Sequence, residues 1–108
     1  MQVKKKRIDS FLTVRLAGEM DTYEAENFEG DILKVIKKGE KRLIIDFEKL
    51  KYISSSGLRV LLSIRSQLSQ EGGRLILVAL KEKALEVFKV SKLLEVFEIR
   101  KDIDEALK

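Results

Sequence analysis

Ser54, Ser55 and Ser56 stand in a row and are followed at once by Gly57. Hydroxyls in such a run can cap a helix, attack a substrate or hold an anion. As a cap, one serine oxygen accepts a hydrogen bond from an exposed backbone N–H, worth about 1 kcal/mol, and the glycine lets the turn be tight. One serine meets that need, so at least one hydroxyl is spare. As a nucleophile, a serine needs a neighbouring base to take its proton. The chain contains no His, so a Ser-His-Asp arrangement cannot be built. A Ser-Lys pair at this turn is also missing, because the residues three places beyond the serines are Gly57, Leu58 and Arg59. No G-x-x-x-x-G-K-[ST] phosphate loop occurs anywhere. No catalytic residue is assigned, and the chain is not expected to be an enzyme. An anion or nucleotide site at the start of the following helix stays open as an alternative.

The elements around the serines are α/β in pattern. Val3 to Ile8 and Phe11 to Ala17 flank Asp9-Ser10, a pair suited to a tight turn, and predict a β-hairpin. Leu12, Val14 and Leu16 alternate with Thr13 and Arg15, which gives one buried and one wetter face. Gly18-Glu19-Met20-Asp21 reads as a loop. A helix over Thr22 to Lys38 is predicted by Ala25, Phe28, Ile32, Val35 and Ile36 at helical spacing, with Asp21 or Thr22 as its cap and Gly39 as its stop. Arg42 to Phe47 holds Leu43-Ile44-Ile45, typical of a strand covered on both faces. Glu48 to Ile53 reads as a loop that leads into the serines. Beyond them Leu58, Leu61, Leu62 and Leu68 share a helical face, with Ile64 at its margin, until Gly72-Gly73. A strand over Arg74 to Leu80, a helix over Lys81 to Val90, a strand over Val96 to Ile99 and a short helix over Asp102 to Leu107 complete the order. The expectation is one domain, residues 1–108, with a mixed sheet of four or five strands that opens on the hairpin and about four helices packed on it.

Composition narrows the function classes. There is no Cys, which excludes disulfides and thiolate chemistry, and the absence of His removes the commonest metal ligand and general base. No metal site and no cofactor are expected. No apolar stretch reaches the roughly 20 residues that span a bilayer, and the basic start of the chain has no apolar segment behind it, so a cytoplasmic protein with no membrane partner is expected. The net charge of +4 raises nucleic acid as a partner. Lys4-Lys5-Lys6-Arg7 is the one basic run of four, however, and the remaining cations alternate with acids. A charged edge strand that resists aggregation accounts for the run, and direct nucleic-acid binding is not expected.

Taken in order, Leu16-Ala17-Gly18-Glu19-Met20-Asp21, Leu43-Ile44-Ile45-Asp46-Phe47, Ile53-Ser54-Ser55-Ser56-Gly57-Leu58, Gly72-Gly73 and the terminal Asp104-Glu105-Ala106-Leu107 resemble the STAS family of bacterial anti-sigma factor antagonists. The resemblance covers nearly the whole chain. It implies a cytoplasmic binding module that docks on an anti-sigma factor with serine kinase activity, frees a sigma factor for transcription, and is switched off by phosphorylation and restored by a serine phosphatase. Family members carry D-S-[ST]-G before the second helix and are phosphorylated on the serine after the Asp. That correspondence makes Ser55 the acceptor, with Ser54 and Ser56 as competitors, and Gly18, Asp21, Ser54, Ser56, Gly57, Leu58 and Arg59 the partner-binding set. Ser54 stands where the family has Asp, which removes a fixed negative charge beside the acceptor. A STAS module that is never phosphorylated and serves as a constitutive scaffold is therefore a further alternative.

Overall fold

The computed structural model describes residues 1–108, in the order β1 (Gln2–Ile8), β2 (Phe11–Met20), α1 (Thr22–Lys37), β3 (Arg42–Ile53), α2 (Ser55–Gln70), β4 (Arg74–Val78), α3 (Glu82–Val90), β5 (Glu98–Arg100) and α4 (Ile103–Ala106). The strands form one five-stranded sheet in the order β1-β2-β3-β4-β5. The β1–β2 hairpin is antiparallel and every other neighbouring pair is parallel. The hairpin turns at Asp9, whose φ of 56° is one that Asp tolerates. The mixed sheet and the four helices expected from the sequence are both present.

Alternation places Val14, Leu16, Leu43, Ile45, Leu75 and Leu77 on one face of the sheet, where all are buried. The stripe Ala25, Phe28, Ile32 and Ile36 of α1, the inner face of α2 and Phe88 of α3 close over them in the same cluster. Each large side chain fully removed from water there contributes about 1.5–3 kcal/mol before entropy is counted. Phe88 joins the cluster edge-on to Phe47 and Phe97, with ring centroids 6.4 and 5.6 Å apart. On the opposite face a smaller cluster of Phe11, Ile44, Ile76 and Val78 lies under Ala106 of α4. Leu43, Ile44 and Ile45 are thus buried on both sides, as their continuous apolar run predicts.

The rest of the second face is charged. Strand register lines up Lys6 with Thr13, Lys4 with Arg15, Arg15 with Asp46, and Arg42 with Arg74. Arg15 pairs with the buried Asp46 at 3.1 Å, and Arg42 lies over the Phe11 ring, 4.5 Å from its centroid. Arg74 grips Glu98 with two nitrogens, and Arg100 adds a third contact at 3.0 Å. The hydrogen bond from Arg74 holds the Glu98 carboxyl below the usual carboxylate range, and the same bond raises the Arg74 guanidinium. Thr13, expected on the wetter face, is buried and donates to the Lys6 carbonyl at 2.6 Å. The basic run Lys4 to Arg7 does fall on an edge strand.

Several boundaries move. The segments expected as loops, Gly18 to Asp21 and Glu48 to Ile53, are strand through Met20 and Ile53. They pair with each other in parallel, Ala17 with Lys49, Gly18 with Leu50, Glu19 with Tyr52 and Met20 with Ile53, across two register shifts. An irregular ladder breaks strict alternation, and in β3 the buried positions after Phe47 are Leu50 and Ile53, three apart. In α2 the central core residue is Ile64, at 0% exposure, while Leu62 is half-buried. β4 stops at Val78 instead of Leu80, because Ala79 takes φ 59° and gives its N–H to the Lys101 carbonyl. The last strand starts at Glu98 instead of Val96, whose N–H closes a turn onto the Leu93 carbonyl.

Candidate functional site

The serines sit where β3 ends and α2 begins. Ser54 has extended backbone angles, φ −80° and ψ 168°, and its Oγ accepts the Gly57 N–H at 3.1 Å, so it is the N-cap. Its own N–H reaches back to the Met20 carbonyl at 2.9 Å and ties the ends of β3 and β2 together. Ser54 is buried. Ser56, half-buried, shares a hydrogen bond of 3.2 Å with the Thr22 hydroxyl at the start of α1. Ser55 is exposed, occupies the first helical position and makes no side-chain hydrogen bond. One serine caps, one bridges two helices, and the middle hydroxyl is spare.

Gly57 is required by contact and not by its backbone angles. A β-carbon there would stand 2.6 Å from Cγ1 of Ile53 and 3.0 Å from Sδ of Met20. Without it the first turn of α2 packs directly on the ends of β2 and β3, which fixes the height at which Ser55 is presented. Asp21 caps α1, its Oδ1 accepting the Glu24 N–H at 2.8 Å, and the Thr22–Ser56 bond joins that cap to the serine turn. Arg59 is exposed and lies four residues after Ser55, on the same helical face.

The remaining expected positions are placed differently. Leu58 is 5% exposed and belongs to the core, so it holds α2 down and offers little surface to a partner. Gly18 is not in a loop beside the serines. It lies within β2 at φ 106°, paired with Leu50, where a left-handed conformation suits glycine. Sequence reasoning missed Thr22 as a member of the site, although its place directly after Asp21 was the available signal. The exposed N–H groups and dipole of α2 favour negative charge at Ser55. Ser55 thus presents an exposed hydroxyl at the positive end of α2.

A five-stranded mixed sheet with a serine presented at the second helix defines a class, and the chain belongs to the STAS domain family, whose profile matches residues 2–106. Its relatives carry the matching role in their names. BtrV of Bordetella bronchiseptica, provisionally named an anti-sigma factor antagonist, is 38% identical over 99 residues, covering 92% of this chain and 85% of that one. TM1081 of Thermotoga maritima superposes with a TM-score of 0.93 at 24% identity, covering 97% of this chain and 91% of that one. The anti-sigma factor antagonist SpoIIAA of Bacillus matches in its unphosphorylated form at 23% identity, covering 98% of this chain and 94% of that one, with a TM-score of 0.77. Its phosphorylated form matches at 26% identity, covering 98% and 96%, with the same TM-score of 0.77. No helix of the chain is long and apolar enough to cross a membrane.

Proposed function

We propose that this chain is an anti-sigma factor antagonist that docks on an anti-sigma factor with serine kinase activity, and that phosphorylation of Ser55 ends the docking. The observation that carries the proposal is the division of labour among the serines: Ser54 and Ser56 are occupied, and Ser55 is exposed at the first position of α2. The chain acts in the cytoplasm as a phosphate acceptor and not as a catalyst. ATP and the catalytic base belong to the kinase, and a serine phosphatase resets the switch.

A phosphate on Ser55 adds about −1.5 to −2 charge and a strongly hydrated group to a surface shaped for a neutral hydroxyl. A penalty of roughly 3 to 4 kcal/mol on burying it lowers affinity a few-hundred-fold. In the free module the α2 N-terminus and Arg59 compensate the charge, so the modification changes the surface and leaves the fold alone. The equal match of both SpoIIAA forms to this chain supports that reading. Ser54 in place of the family Asp preserves the cap, since Asp and Ser both accept from the helix N–H groups, and removes a charge beside the acceptor. The consequence falls on kinase recognition, not on folding.

The test is intact-mass analysis with peptide mapping after reaction with the anti-sigma kinases of the same organism and ATP. One added phosphate on Ser55, absent in Ser55→Ala, is the expected result. Stable binding to an anti-sigma factor with no phosphate transferred by any kinase would replace the switch with a constitutive scaffold.

A further inference from the structure

β3 is the longest strand, Arg42–Ile53, but β4 accompanies it only from Arg42 to Asp46. The chain leaves β4 at Ala79 and turns into α3, so the β3 edge from Lys49 to Ile53 faces a helix across a groove. Leu50, Tyr52 and Ile53 form one wall and Ala84, Val87 and Val90 the other, enclosing about 400 Å³. A wider depression of about 1050 Å³ continues it toward Lys49 and Lys81. Tyr52 and Val90, 52% and 78% exposed, are two of the three large apolar side chains that the whole chain leaves in water.

An open strand edge is a template for another strand, and proteins normally blunt it. This chain blunts its outer edges: β1 carries Lys4 to Arg7, and β5 is three residues long. The inner edge over Lys49 to Ile53 carries two lysines and faces α3 across the groove, but no strand pairs with it there. The Glu48 N–H is already taken by the Asp46 carboxylate at 2.9 Å, so pairing would begin at Lys49. Charge selects the occupant. Lys49, Lys51, Lys81 and Lys83 line the groove against Glu48, Glu82 and Glu86, which leaves the cations in excess by four to three, and these lysines form no ion pair within the chain. A second copy paired on the same edge would bring Lys49 and Lys51 close to their own equivalents.

We propose that this groove receives an extended acidic segment of a partner protein, added to β3 as an extra strand between the sheet and α3. Backbone hydrogen bonds to Lys49–Ile53 supply the pairing, apolar side chains at alternate positions enter between Tyr52 and Val90, and acidic ones meet the lysines. Ile53 runs straight into Ser54, so a seated segment ends beside Ser55. The inference deepens the docking proposed above and rests on it for the identity of the partner, though not for the binding itself.

The experiment titrates the full-length 15N-labelled chain with an end-blocked octapeptide of alternating Glu and Val. Saturable shifts at Lys49–Ile53 and Ala84–Val90, with amide exchange at Lys49–Ile53 slowed about ten-fold or more, are expected. Ala84→Arg fills the groove, and Val90→Glu, at an exposed position, places a like charge beside the peptide. Each is expected to weaken binding by about ten-fold or more while melting like the parent. An octapeptide of alternating Lys and Val is expected to bind at least that much more weakly. No saturable shift at millimolar peptide, shifts that map elsewhere, or self-association through this edge in sedimentation would overturn the proposal. Peptide binding in the groove with no phosphorylation of Ser55 by any kinase would sink the switch and leave the groove standing, and the reverse result would do the opposite.

Discussion

Replacing Ser54 by Ala removes one hydrogen bond, the 3.1 Å contact from the Gly57 N–H, and leaves the fold otherwise intact. The cap is buried, so water cannot fully replace the lost oxygen. Loss of an N-cap costs about 0.5–2 kcal/mol, and a buried unsatisfied N–H pushes the figure into the upper part of that range. About 1.5 kcal/mol is expected. With a urea slope of about 1.5 kcal/mol/M, the unfolding midpoint falls by about 1 M. The thermal midpoint falls by about 6–10 °C. Ser54→Asp restores the family residue, accepts the same bond and adds a carboxylate at the positive end of α2, so its stability stays within about 0.5 kcal/mol of the parent or exceeds it by up to about 1 kcal/mol. Urea titration followed by far-UV circular dichroism, with all three proteins at one ionic strength, provides the comparison. A Ser54→Ala midpoint equal to the parent's would refute the capping role. An Asp variant that falls as far as the Ala variant would show that the site does not tolerate the family residue, and the interchangeability argued for this position would be lost.

Gly57→Ala is expected to lose about 1–3 kcal/mol through overpacking on Ile53 and Met20, although Ala is the better helix former by about 1 kcal/mol; calorimetry showing a raised melting temperature would contradict the contact argument. Glu98 has its carboxyl lowered in the folded state by Arg74 first, so its contribution is present above the ordinary carboxylate range and is lost as pH falls through the folded value. Glu98→Gln should therefore be less stable than the parent at neutral pH and converge on it in acid, as read by urea midpoints at a series of pH values. In the Ser55-phosphorylated protein, Arg59→Gln should shift the second phosphate ionisation upward by about 0.2–0.4 unit in a 31P titration, because an i,i+4 cation favours the dianion by a few tenths of a kcal/mol; no shift would remove Arg59 from the site.

How much was visible beforehand follows from how local the signals are. The hairpin at Asp9-Ser10, the α1 stripe and the doubly buried Leu43-Ile44-Ile45 each write their period into a few neighbouring residues, and they stand where the pattern put them except for Val35, which is half-buried and outside the core cluster. The strand extensions were illegible because their pairing is irregular and because Gly18 imitates a loop residue while serving as a positive-φ position inside β2. Ala79 gave no warning of its left-handed angle, since the reason lies in a bond to Lys101, far along the chain. At the site, the run of serines announced a spare hydroxyl but not which one. The family resemblance pointed to Ser55, and in the structure the Gly57 N–H engages Ser54 and the Thr22 hydroxyl engages Ser56, which leaves Ser55 as the one without a side-chain bond.

The strands lie across the sheet in the order in which they leave the ribosome. Each newly emerged strand finds its edge already laid down by the one before it, and no strand waits for a later segment to be inserted beside it. The serine turn gains its platform, the ends of β2 and β3, as soon as β3 docks and without any contribution from β4. The final pieces, a three-residue β5 and the single turn of α4, close over the Phe11, Ile44 and Ile76 cluster last. Assembly of this chain can thus proceed outward from its N-terminal hairpin, with the Ser55 turn supported before the last strand docks.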